Sequence, residues 1–162
     1  MVRFSVDAAE TWLISSAFRR TMPVVLLGKE KDDVALKRRK RVLIVDDEAM
    51  VRDLLADVLS DAGYQAVIAP TWKMGETGFD EIGYSLVITD MFMPDRDGIE
   101  VIQDVKKRWP EVKILAISGG WGNTTPKRAT NAATEIGATA TMQKPFSPKD
   151  LLAMVEELIG EA

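Results

Sequence analysis

The chain has 162 residues, 46% apolar and 28% charged, with a formal net charge of −4, which suits one ordinary domain with a real core and gives no general attraction to nucleic acid. It holds no cysteine and no histidine, so disulfides, thiolate chemistry, imidazole bases and zinc–sulfur sites are excluded, and any metal must be an oxygen-bound magnesium, manganese or calcium. No apolar run reaches membrane-span length, and a cysteine-free chain fits a reducing cytoplasm.

Residues 1–40 differ in character from the remainder of the chain. Asp7 is placed to cap a short helix over residues 8–18, with Glu10 completing a capping-box pattern and Trp12, Leu13, Ala17 and Phe18 sharing a face. Arg19-Arg20 before Pro23-Val-Val-Leu-Leu27 has the outline of an export signal, but its apolar core is too short. The basic run from Lys37 to Arg41 reads as a solvated linker. The expectation is a weakly ordered extension over residues 1–40, either a docking arm or a remnant of an early start codon, and a domain over residues 41–162.

From Arg41 the pattern alternates between strand and helix. Residues 42–45, Val-Leu-Ile-Val, form a continuous apolar run suited to a central parallel strand. Val51, Leu54, Leu55, Val58, Leu59 and Ala62 recur at helical spacing, and Gly63 stops that helix. Residues 65–69 are a second short strand, and residues 71–79 predict a helix interrupted by Gly75 and Gly78. Residues 86–89 are the third strand. Ile99, Ile102 and Val105 mark a helix that ends before Pro110. Residues 112–117 are a fourth strand, leading into the loop Ser118-Gly-Gly-Trp-Gly-Asn123. Thr125-Pro126 opens a helix reaching Ile136, with Gly137 after it. Residues 139–143 are the fifth strand, and Ser147-Pro148 opens a last helix with Leu151, Leu152, Val155, Leu158 and Ile159 on one face. Five strands alternating with five helices predict an α/β domain, a doubly wound five-stranded parallel sheet with helices on both faces.

Right-handed crossovers bring every strand's carboxyl end to one edge of such a sheet. Asp46, Asp47, Asp90, Ser118 and Lys144 all fall at those ends or one residue beyond. Three carboxylates close together repel unless a cation joins them, and Lys144 supplies a fixed positive charge. Such a cluster can accept a phosphoryl group on one carboxylate, with the metal and the lysine offsetting charge on its oxygens. Each piece also has a plainer reading. Paired aspartates after a strand often cap the next helix, and an aspartate before a Pro/Gly turn is commonly a turn residue. Ser118-Gly119-Gly120 alone is a flexible loop, and a lysine past a buried strand commonly reaches solvent. What favours chemistry is all four at successive strand ends, with charges that need one another.

Val-Leu-Ile-Val-Asp46-Asp47-Glu, Leu-Val-Ile-Thr-Asp90-Met-Phe-Met-Pro94-Asp-Arg-Asp-Gly98, Ile-Leu-Ala-Ile-Ser118-Gly and Lys144-Pro145-Phe146 resemble, in order, the receiver domains of two-component response regulators over roughly residues 41–160. The resemblance implies a flavodoxin-like sheet of order 2-1-3-4-5. It implies Asp90 as phosphoacceptor, Ser118 and Lys144 as the groups that bind the phosphoryl oxygens, and a Mg2+ cofactor. The metal ligands it implies are Asp46 (largely through water), Asp47, Asp90 and the backbone carbonyl of Phe92. The implied phosphodonor is a histidine kinase or histidine phosphotransfer protein, and the implied output is contact with a downstream target protein.

The chain departs from the family pattern at Thr141, where an aromatic residue is common, at the bulky Phe92 and small Gly120, and at Ser85. With Thr141 too small for an aromatic swing, the Gly119–Gly122 loop and its Trp121 become the expected moving part. Nothing follows the last helix in this sequence, so the expectation is a stand-alone, chemotaxis-regulator-like receiver in the cytoplasm, with no nucleic-acid or membrane partner. It is a phosphoacceptor rather than an enzyme in the ordinary sense. Two rivals stand: a receiver-like binding module that is never phosphorylated, and a magnesium-dependent phosphohydrolase. The latter commonly needs an acid two residues past its nucleophile, where this chain has Phe92.

Overall fold

In the computed structural model the described residues are 39–93, 98–119 and 126–162. The expected helix over residues 8–18, the Pro94–Asp97 turn and the loop from Gly120 to Thr125 lie outside them. Five strands form one parallel sheet of order β2-β1-β3-β4-β5. They are β1 (Arg41–Val45), β2 (Gln65–Ala69), β3 (Leu86–Asp90), β4 (Lys113–Ser118) and β5 (Ala140–Gln143). Between and after them run α1 (Ala49–Asp61), α2 (Trp72–Gly75), α3 (Phe79–Ile82), α4 (Gly98–Arg108), α5 (Pro126–Ile136) and α6 (Pro148–Ile159).

The three central strands are largely apolar because both faces of the sheet are covered there, and the alternation along them sorts the side chains into two cores. Leu43, Val45, Val87, Ile114 and Ala116 pack with Trp72, Phe79, Val101, Ile102 and Val105 on the side of α2 to α5. Val42, Ile44, Leu86, Ile88, Leu115 and Ile117 pack with Leu55, Leu59, Leu151 and Val155 on the side of α1 and α6. Each such side chain contributes about 1.5–3 kcal/mol when fully buried.

Three local findings differ from the sequence expectations. The helix expected over residues 71–79 is two short helices, α2 and α3. Gly78 adopts a left-handed conformation at φ 72° and starts α3. Gly75 is pressed so closely on Leu43, Val45 and Ala69 that a Cβ would lie 3.1 Å from Leu43. In α1, Leu54 is 53% exposed although it belongs to the apolar series, because the burial axis runs through Leu55 and Leu59. Finally, β3 runs one residue further than expected, to Asp90 itself. The start of α6 matches expectation: Ser147 and Asp150 form a reciprocal capping box with Pro148 in the first turn.

Candidate functional site

The two-residue alternation that builds the cores also decides which strand-end side chains meet. Asp46 continues the row of Val42 and Ile44, and Asp90 continues the row of Leu86 and Ile88. Lys144 continues the row of Met142. All three therefore emerge on the α1/α6 side of the carboxyl edge. Asp47 falls in the opposite row and is exposed. Ser118, at the end of β4, is fully buried, and its carbonyl accepts the Lys144 N–H at 2.9 Å, tying the ends of β4 and β5 together.

Lys144 is the centre of the cluster. Its Nζ lies 2.9 Å from Asp90 Oδ1, 3.3 Å from Asp46 Oδ2 and 3.6 Å from Glu48 Oε1. Asp90 is held at both oxygens, since Oδ2 accepts the Phe92 N–H at 2.7 Å. Asp46 Oδ1 accepts the Glu48 N–H at 2.8 Å, which closes a turn ahead of α1; the N-cap of α1 is Glu48 and carries no side-chain cap bond, so the helix-capping reading of the acid pair does not hold. Burial pulls the Lys144 ammonium down, but the hydrogen bond and charge of Asp90, followed by those of Asp46, outweigh it and hold its pKa above the ordinary lysine value. Burial pushes the Asp46 carboxyl up; the Glu48 N–H and Lys144 oppose this, and the charge of Asp90 adds to the rise.

The sequence points to three converging carboxylates. Among the described residues no group of three acidic side chains is disposed to hold one metal ion, and the buried acids form a pair, Asp46 and Asp90, bridged by Lys144. The donor chemistry still fits a hard divalent cation. Two buried carboxylates face one ammonium, and the further groups that the resemblance implies as ligands, the Asp47 carboxylate and the Phe92 carbonyl, are also oxygen donors.

Three residues of the site carry no clear signal in the sequence. Glu48 adds a third acid to Lys144; its position directly after the acid pair was the available hint. Arg52 donates to the Asp46 carbonyl, as a long side chain on the first turns of a helix can do by pointing back toward its start. Gly98 is visible in the sequence only as a chain breaker, yet it packs on the backbone of Asp90 itself: a Cβ there would lie 2.4 Å from the Asp90 carbonyl oxygen. Thr141, half-buried, pairs with Ala116 in the sheet.

Comparison with known proteins agrees with this geometry. The profile of the response regulator receiver domain matches residues 42–156. A "Probable transcriptional regulator ycf27" of Galdieria sulphuraria is 33% identical over 120 residues, which is 74% of this chain and 45% of that protein. The chain thus spans about half the length of the curated relatives it matches first. Among solved structures, a CheY-like receiver domain protein from Methanospirillum hungatei superposes with a TM-score of 0.66 at 29% identity, covering 74% of this chain and 92% of that one. The receiver domain of NtrX from Brucella abortus does so with a TM-score of 0.67 at 28% identity, covering 75% and 99%. A profile match over most of the chain, on a sheet of this order, establishes that the chain belongs to the receiver-domain family of response regulators.

Proposed function

We propose that residues 41–162 accept a phosphoryl group on Asp90 from the phosphohistidine of a histidine kinase or phosphotransfer protein, and signal through contact with a target protein. The observation that carries this reading is the buried Asp90 carboxylate gripped by Lys144 at 2.9 Å and by the Phe92 N–H at 2.7 Å. In the transfer, a carboxylate oxygen of Asp90 forms the new O–P bond while the N–P bond to the donor's imidazole breaks and that imidazole leaves. A carboxylate nucleophile needs no general base. Lys144 stays protonated and counters charge on the transferred group, and Ser118, fully buried at the end of the neighbouring strand β4, is the hydroxyl we assign to donate to it. Asp46, Asp47, Asp90 and the Phe92 carbonyl are the residues that would hold magnesium. Bound there, magnesium supplies positive charge toward the phosphoryl oxygens.

The chain catalyses only its own gain and loss of phosphate under this reading. Among the described residues no helix is long and apolar enough to cross a membrane, and a cytoplasmic site of action fits a cysteine-free chain whose donor is a histidine kinase. We read the signal as leaving residues 41–162 through contact with a target protein. The test is incubation with magnesium and acetyl phosphate, then location of any base-labile phosphate by mass spectrometry. The label is expected on Asp90 alone, to need magnesium, and to vanish in Asp90→Asn; labelling that persists in that variant overturns the assignment.

A further inference from the structure

The geometry points to Arg52 as a positioning residue of the site, one that fixes the Asp46–Glu48 turn so that its carboxylates face a bound cation. Arg52 lies near the start of α1 and is half-buried. Its Nη1 donates to the backbone carbonyl of Asp46 at 2.7 Å. That bond completes the fixing of Asp46. The Asp46 N–H reaches the Ala69 carbonyl at 3.4 Å, its Oδ1 accepts the Glu48 N–H at 2.8 Å, and its Oδ2 meets Lys144 at 3.3 Å. Of these four bonds, the one to the carbonyl comes from within α1, so it couples the acid turn to the helix rather than to the sheet.

A plainer reading makes Arg52 a helix residue that satisfies one spare carbonyl. The structure favours more than that, because Arg52 Nε is buried with no hydrogen-bond partner among the described residues. Leaving such a donor unmatched is unfavourable, and a lysine, or a residue leaving the carbonyl to solvent, would avoid it. The Arg52 guanidinium is instead oriented by the Asp46 carbonyl, and it places a permanent cation behind the turn that carries Asp46, Asp47 and Glu48.

This inference rests on the proposed use of the site, and its test reads cation binding and turn geometry apart from phosphorylation. Magnesium alone is titrated calorimetrically into the full chain, into Arg52→Met, which keeps the stem, and into Arg52→Lys. Amide hydrogen exchange at Glu48 is followed in the same metal-free proteins. We expect magnesium to bind at least tenfold more weakly to Arg52→Met, with Arg52→Lys intermediate, and exchange at the Glu48 amide to quicken in the same order. Unchanged magnesium affinity in Arg52→Met overturns the inference even if the melting temperature falls, since a merely structural arginine would give that result. Weakened affinity with unchanged Glu48 exchange also overturns it, because the route then bypasses the turn. If Arg52→Met does not fold, Arg52→Lys decides on the same two readouts. A wild-type chain that binds no magnesium overturns both this inference and the metal-dependent reading beneath it.

Discussion

Gly98→Ala is the sharpest probe of how Asp90, the proposed phosphoacceptor, is held. Gly98 begins α4, and its N–H donates to the Met91 carbonyl at 3.1 Å. A Cβ added there would lie 2.4 Å from Asp90 O, 2.8 Å from Met91 Cα and 3.2 Å from Asp90 C. All three are backbone atoms, so no side-chain rotation relieves the clash. Restoring even a 3.0 Å approach to the Asp90 oxygen moves the start of α4 and the end of β3 apart by about 0.6 Å, the difference between 3.0 and 2.4. That shift loosens Val101, Ile102 and Val105, which are fully buried. Overpacking of this kind costs about 1–3 kcal/mol, or about 4–12 °C of melting temperature at roughly 4 °C for each kcal/mol. The same displacement moves Asp90 relative to Lys144, so labelling by acetyl phosphate is expected to slow by more than the lost stability explains. Gly119→Ala is the control at the same edge, where the nearest atom to an added Cβ is Lys144 Cδ at 3.6 Å, an ordinary contact. A Gly98→Ala protein that melts within about 1 °C of wild type would refute the close approach from which this cost is worked.

Two further outcomes come from the buried ionisable groups. Asp46→Asn keeps the acceptor for the Glu48 N–H and reduces the buried acid pair from two negative charges to one against a single ammonium. In metal-free protein it is expected to gain about 1 kcal/mol at neutral pH. Because folding raises the Asp46 pKa above 3.8, that gain is full above the folded value and disappears as pH falls below the unfolded one; denaturant titrations across that range check it, and a gain that persists in acid contradicts it. Tyr64 donates to the Gly160 carbonyl at 2.7 Å, and burial, with Glu156 and Glu161, raises its pKa above 10.0. Its protonated phenol therefore favours the fold below about pH 10 and loses that advantage as pH climbs through the folded value. Tyr64→Phe should be less stable by about 1 kcal/mol at pH 8, with the gap closing toward about pH 11; a constant gap contradicts the assignment.

Much of the fold is legible because strands buried on both faces are written as apolar runs: residues 42–45, 86–88 and 114–117 are unbroken apolar stretches, and all three lie within strands. The break between α2 and α3 was less legible. Gly75 serves close packing and Gly78 a left-handed turn, and a glycine in the sequence does not say which. Leu54 misled because apolar identity sets a helix's hydrophobic content more firmly than the direction of its buried axis. The site was legible as a set of residue types at strand ends. The unequal placement of Asp46 and Asp47 was missed, although strand parity contained it: continuing Val42 and Ile44 leads to Asp46, and Asp47 is one step out of that row.

Strand parity also governs how charge is handled at the site. Among the described residues Lys144 has three carboxylates within 3.6 Å, and the two buried ones already exceed its single charge. A phosphoryl group on Asp90, as proposed, would replace one carboxylate charge with roughly −2, and the ammonium would then have the stronger partner on the β3 side. Asp46 and Glu48, both on the turn before α1, are the groups that lose their share of Lys144. The other hydrogen bonds that hold Asp46 run to the Glu48 backbone, to Ala69 and to Arg52. On the proposed reading, charge arriving on Asp90 would reach the β1–α1 turn across one lysine, without a strand having to move.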